Sequence, residues 1–155
     1  MKIIAIQHGD DLWSKVSEYA STCSWRAGKN LSQMMNDNAF SDYERVFVAL
    51  EKDNIAGYCT LLKSDCIPDV EYTPYIGFVF VDEDYRGNRI SERLCHFAVQ
   101  YAGSVGFDKV YLVSIEANLY EKYGFVKIDE KLSSWGAMQG ILQSTPTSHK
   151  PKRQQ

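Results

Sequence analysis

No apolar stretch in this chain approaches the roughly 18–20 residues of a membrane span, and no Cys-x-x-Cys pair occurs among its 4 cysteines. Cys23, Cys59, Cys66 and Cys95 stand far apart. Such scattered thiols suggest a reduced, cytoplasmic protein and speak against a zinc site or a disulfide framework. Cys59 and Cys95 fall within apolar patterns and read as core filler. Positive charge is also short. Lys and Arg total 17 against 20 Asp and Glu, a net charge of -3, which argues against nucleic acid as the main partner. The apolar start is cut off by Gln7 and His8, too soon for a secretion signal. No internal repeat is visible.

The chain does have enough apolar material for one sizeable core: 155 residues, 45% hydrophobic and 13% aromatic. A short strand at Lys2–Gln7 precedes a helix with Asp10 as N-cap and an apolar face of Leu12, Trp13, Val16 and Ala20. A second helix is expected over Ala27–Asn36. Arg45–Glu51 and Ile55–Leu62 read as a hairpin turning at Asp53-Asn54. Further strands are expected at Lys109–Ile115, Phe125–Ile128 and Trp135–Leu142, with a short helix at Asn118–Tyr123 closed by Gly124. The ordered domain is placed at residues 1–143. Residues 144–155, polar, basic and proline-containing, are expected to be disordered.

The most informative stretch runs from Tyr75 to Tyr101. Ile76, Phe78, Val79, Phe80 and Val81 read as a buried strand. From Ile90 the apolar residues fall at helical spacing: Leu94, Phe97, Ala98, Tyr101 and Val105. Between the two lies a polar turn, Arg86-Gly87-Asn88-Arg89, opening directly into the helix. Unpaired backbone N–H groups and the positive helix end meet there, beside arginines, in a site suited to a phosphate or pyrophosphate. The same corner also reads as an ordinary strand–turn–helix connection with solvated arginines. No Lys-Ser/Thr follows the glycine, which disfavours a P-loop nucleotide site.

Two motifs carry a family resemblance. Arg86, Gly87, Asn88, Arg89, Ile90 and Ser91 fall on the six positions of an Arg/Gln-x-x-Gly-x-Gly/Ala loop, and Leu119-Tyr120-Glu121-Lys122-Tyr123-Gly124-Phe125 follows about thirty residues later. Together they resemble the GNAT superfamily of acyl-CoA-dependent N-acyltransferases, and the likeness extends in element order over roughly residues 3–143. It implies an α/β fold with a mixed central sheet, antiparallel in its N-terminal part and parallel around the cofactor helix. It implies acetyl-CoA as acyl donor and no metal. The cofactor would bind Arg86, Gly87, Asn88, Arg89, Ile90 and Ser91, with backbone N–H groups near Phe80 and Val81 polarising the thioester carbonyl.

The sequence departs from the family pattern at Arg89 and Ser91, where small residues let the backbone approach the pyrophosphate. The departure is compatible with binding if the Arg89 side chain points away or toward a coenzyme A phosphate. Val113 stands where the family often has an Asn, and Asn118 is the candidate to replace it on the pantetheine arm.

By the same resemblance Tyr120 protonates the departing thiolate. The helical turn between it and Tyr123 puts the Tyr123 ring on a different side, where it is expected to pack in the core. Glu71 is the best-placed carboxylate for a general base, though it reads more readily as a solvated loop acid. Trp25, Met34, Met35, Glu71, Tyr72 and Tyr75 would surround an amine acceptor, a small molecule or a protein, and a homodimer fits the resemblance. A different class of reading, a non-catalytic acyl-CoA sensor, draws on the Arg89 departure. Retention of Tyr120 favours the enzyme.

Overall fold

The computed structural model describes residues 1–147. Its order is β1 (Lys2–Ile6), α1 (Trp13–Thr22), α2 (Gly28–Asn36), β2 (Arg45–Glu51), β3 (Asn54–Leu62), β4 (Tyr75–Val81), α3 (Ile90–Ser104), β5 (Val110–Ser114), β6 (Val126–Leu132) and β7 (Met138–Ser144). Single 3-10 turns lie at Glu83–Tyr85 and Tyr120–Tyr123. The strands form one sheet in the order β1-β2-β3-β4-β5-β7-β6. Among the described residues only β4 and β5 pair in parallel, so the mixed sheet expected from the sequence is the one observed.

Alternation along the strands builds two cores, one on each face of the sheet. On β2, Phe47 and Ala49 face α3, where Ile90, Leu94, Ala98 and Ala102 cover them. Val46 and Val48 face the other way and meet Val16, Ala20, Leu31 and Met35 of α1 and α2. The 3.6-residue stripe read on α3 is therefore the face that docks on the sheet.

Three boundaries differ from the sequence reading for local reasons. Asp10 does not cap α1. Its carboxylate accepts the Gln7 N–H (2.8 Å) and its carbonyl accepts the Trp13 N–H (3.0 Å), closing the turn one step upstream. The hairpin turns on Lys52-Asp53, because Asn54 already pairs with Glu51, and Lys52 takes the positive φ of 56° that such a turn needs. At the sheet edge, Trp135 lies in the turn before β7, and β6 is exposed on almost every residue, so burial periodicity does not mark its limits. Beyond Ser144, Lys109 Nζ donates to Thr145 Oγ1 (3.1 Å) and Pro146 lies against Gly103 of α3. The rest of the expected tail, with His149, lies outside the described residues.

What positions the site is a short partnership. β4 and β5 pair only at Tyr75–Tyr111 and Ile76–Leu112. β5 then continues along β7 for its whole length, while β4 stays with β3. The sheet splits after Ile76. At the split β4 carries a bulge: Tyr58 pairs with Phe80 but Thr60 with Gly77, and Phe78 takes a positive φ of 49°.

Candidate active site

The split leaves a cleft of about 1220 Å³. Gly77–Val81 form one side and Leu112–Ile115 the other. Trp25 and Met34 reach in from the α1–α2 side, Asp65 and Trp135 from loops, and Tyr120 and Arg86 complete the lining.

The strand geometry decides which backbone groups face this space. The Asp82 N–H donates to the Ala56 carbonyl (2.8 Å), so Asp82 and Ala56 are a hydrogen-bonded antiparallel pair. Alternation then turns the N–H and C=O of Val81 away from β3 and toward the cleft. Its carbonyl accepts the Arg86 Nε–H at 3.0 Å. Val81 thus presents a backbone donor, whereas Phe80 spends its backbone on β3 and contributes its ring. That ring stacks on Trp25 at 5.9 Å and 2°, with the Arg86 guanidinium 5.8 Å from its centre.

Arg86, on the lining, begins the turn that leads into the N-terminus of α3. No side chain caps it, and its first closing bond runs from the Arg93 N–H to the Arg89 carbonyl (3.1 Å). The N–H groups of Ile90, Ser91 and Glu92 therefore lack helix partners. Gly87 has φ +87° with open space where a Cβ would lie, and the Asn88 side-chain amide donates to the Tyr85 carbonyl (2.9 Å), fixing the turn. Ile90 is buried in the core, so it offers the turn only its backbone.

Arg89 explains its own irregularity. Its φ of 60° is left-handed, the conformation for which glycine is suited, and its exposed side chain lies 3.7 Å from Glu92. Holding a side chain in this conformation costs about 1 kcal/mol. Arg89→Gly is expected to raise unfolding stability in urea by up to about 1 kcal/mol; a clear loss would show that the Arg89 side chain stabilises the turn.

The two tyrosines separate by their partners. Tyr123 Oη shares a hydrogen bond with Ser91 Oγ at 2.6 Å, tying the 3-10 turn to α3. Tyr120 lines the cleft instead, its ring edge-on to Tyr123 at 5.7 Å. Burial raises the Tyr120 hydroxyl well above the ordinary tyrosine value, with the nearby Cys95 and Glu116 adding to it. The hydroxyl is therefore protonated, and a donor, throughout the range in which proteins work.

The other residues singled out in the sequence are dispersed. Glu71 is exposed, in the loop before β4, outside the cleft lining. Asn118 is exposed with φ 66° and is also outside it. Met35 is buried beneath α2, and the Tyr72 hydroxyl donates to Asp129 (3.0 Å). His96 is exposed, its Nε2 3.0 Å from the Tyr123 carbonyl oxygen. Asp65, Phe78, Trp135 and Gln139 also line the cleft, although their sequence context does not mark them for it. Nothing periodic marks Asp65 in a loop, and a bulge has no fixed sequence signal. Among the described residues no group of three or more His, Cys, Asp or Glu side chains is arranged to hold a metal ion, and no helix is long and apolar enough to cross a membrane.

A split mixed sheet, with a glycine turn leading into an uncapped helix after β4, agrees with a direct match. Residues 11–125 match the Acetyltransferase (GNAT) family. The chain belongs to that family. Among solved structures it is similar to an aminoglycoside 6'-N-acetyltransferase complexed with coenzyme A, at 16% identity and a TM-score of 0.67, over 96% of this chain and 98% of that one. A GNAT acetyltransferase from Elizabethkingia anophelis with acetyl-CoA bound gives 15% and 0.64, over 93% and 97%. A chimeric spermidine N-acetyltransferase from Vibrio cholerae gives 15% and 0.65, over 94% and 96%. At these identities the structures share the GNAT fold. No curated protein matches the chain.

Proposed function

We propose that this GNAT protein transfers an acetyl group from acetyl-CoA to a primary amine of a small molecule or protein, by direct attack on the thioester. One observation carries the reading: the cleft runs from Arg86, which begins the turn into the uncapped α3, to the half-buried Tyr120, whose hydroxyl is protonated. The solved relatives carrying coenzyme A and acetyl-CoA support it.

In this reading the turn Arg86-Gly87-Asn88-Arg89 and the N–H groups of Ile90 and Ser91 hold the pyrophosphate, with Arg86 adding charge. The Val81 N–H bonds the cofactor chain or the thioester carbonyl, and the Phe80 and Trp25 rings wall off water beside it. Asn118, exposed and outside the cleft lining, would have to reach in to serve the pantetheine arm. As the amine nitrogen bonds to the carbonyl carbon, the C–S bond breaks, and the Tyr120 hydroxyl gives its proton to the sulfur. The phenolate regains a proton from the new amide nitrogen, directly or through water. No cysteine is needed. Cys59 and Cys95 are buried and their thiols raised by burial, which keeps them from acting as nucleophiles. The free thiols suit a reducing compartment, so we place the protein in the cytoplasm.

Acetyl-CoA or coenzyme A at a hundred times its dissociation constant is expected to stabilise the fold by about 2.7 kcal/mol. Thermal unfolding with and without millimolar ligand checks this. An unmoved midpoint with both ligands would remove the cofactor assignment.

A further inference from the structure

The geometry points to Asp65 as the catalytic residue that binds the acceptor's ammonium in the cleft and takes its proton before attack, a role for which the sequence suggests Glu71. The inference rests on the acyl-transfer reading above.

Asp65 lines the cleft, beside β4. Its Oδ2 lies 3.4 Å from the point where a Cβ on Gly77 would stand. Gly77 immediately precedes the bulged Phe78 at which the sheet opens. The missing side chain leaves the way clear between this carboxylate and the strand that the thioester must lie along.

Cys66 supplies the carboxylate's protein contacts: its N–H donates to Oδ1 at 2.6 Å, and its thiol also hydrogen-bonds the carboxylate. The Cys66 carbonyl in turn accepts the Ser134 N–H (2.8 Å), so the loop is pinned to the β6–β7 turn. Among the described residues, no Lys, Arg or His forms an ion pair with Asp65; the nearest cation in sequence, Lys63, is taken by Asp42 at 2.8 Å. Asp65 is exposed and has no ion-paired partner among the described residues, so its carboxylate is open to a ligand ammonium.

The ionisable groups coupled to it are Cys66 and Tyr75, and neither is cationic; Arg86, which lines the same cleft, donates to the Val81 carbonyl. The Tyr75 hydroxyl is buried and lacks any hydrogen-bond partner, an orphan polar group beside the same loop. Asp65 is exposed, yet partial desolvation by the neighbouring chain holds its carboxyl above the usual carboxylate range, with the Cys66 hydrogen bonds opposing the rise. A carboxylate of this kind is a stronger base than one in water.

The proton balance closes. The ammonium passes one proton to the Asp65 carboxylate, and the neutral amine attacks the carbonyl carbon. Tyr120 protonates the sulfur and is restored by the second amine proton. Asp65 then releases its proton to solvent, so the sum is one amide, one thiol and one proton from one ammonium and one thioester. Glu71, equally exposed but outside the cleft lining, has no comparable path.

The test compares wild type with Asp65→Asn and Asp65→Glu, using phenethylamine and spermidine as probe amines. Asn keeps the volume and can still accept the Cys66 N–H. Both variants should bind coenzyme A as wild type does, which separates this inference from the cofactor assignment. In titration calorimetry on protein saturated with coenzyme A, at least one probe should bind wild type, and Asp65→Asn should weaken it tenfold or more. That probe's acetylation, followed as thiol release, should fall about 10²–10⁴-fold at neutral pH in Asp65→Asn, with partial recovery in Asp65→Glu.

The pH dependence gives a readout that a merely structural role would not move. Wild type should lose kcat/KM only as pH falls through the raised Asp65 value. The Asn variant should gain tenfold per pH unit up to the amine's own value near 10, so the deficit shrinks as pH rises. Equal amine binding and turnover in wild type and Asp65→Asn, or no binding of either probe to wild type at 10 mM (about 2.7 kcal/mol of binding free energy at that dissociation constant), would overturn the proposal.

Discussion

Tyr120→Phe is expected to lower the rate of acetyl transfer by about 10²–10⁴-fold while leaving coenzyme A affinity nearly unchanged. The substitution keeps the ring that lines the cleft and packs edge-on against Tyr123 and Phe125. Only the hydroxyl is lost. Tyr123→Phe breaks the hydrogen bond to Ser91 instead, and should cost about 1 kcal/mol of stability with most activity kept. The pair of variants is informative because the two rings are neighbours in one turn, yet only one hydroxyl is committed to α3. Since burial raises Tyr120 well above the ordinary tyrosine value, its ionisation should set no limb of the rate profile below about pH 10. Wild-type turnover by Tyr120→Phe on a good acceptor would mean that the thiolate leaves unassisted or takes its proton from water.

The largest expected effect on folding comes from Gly28→Ala. Gly28 opens α2, and a Cβ there would overlap the Ala20 carbonyl oxygen and stand 2.9 Å from both Cys23 Sγ and the Tyr58 hydroxyl. The first obstacle is backbone of α1, which cannot swing aside. The two helices must separate, at a cost of about 2–3 kcal/mol. For a chain of this size the unfolding midpoint should drop by roughly 5–10 °C. The shift should also disturb Trp25 and Met34, which stand at the cleft wall beside this junction, so acceptor binding should weaken more than coenzyme A binding. The α3 corner lies on the opposite face of the sheet, and coenzyme A should still stabilise the variant. A midpoint equal to wild type would show that the α1–α2 contact yields without cost.

Local periodicity makes much of this fold legible in the sequence. A strand of alternating or continuous apolar residues and a helix of 3.6-residue period set which faces are buried, because each face must find a partner. Hence the pattern locates β2, β3, β4 and α3 within a residue or two, and it puts the Arg86–Ser91 turn at a helix start. The misplaced N-cap at Asp10 shows the limit of such reasoning. A carboxylate three residues after Gln7 can close the turn as readily as cap the helix, and propensity does not choose between them.

The candidate site divides along the same line. Residues adjacent in sequence, Arg86 to Ser91, form the cofactor corner because a turn and a helix end are local objects. Tyr120 stands out by likeness to a family motif; its separation from Tyr123 becomes visible only where Ser91, thirty-two residues away, claims the second hydroxyl. Asp65, Trp25 and Trp135 come from three separate connections, and no spacing links them. They meet because β4 leaves β5 after two paired positions and takes a bulge at Phe78. The sequence by itself determined the elements, their buried faces and the anion-ready turn, since these follow from the backbone and its immediate neighbours. The place where the sheet opens, and which loop carboxylate stands over it, was decided by strand pairing across the whole chain, where each register depends on residues far from the one it positions.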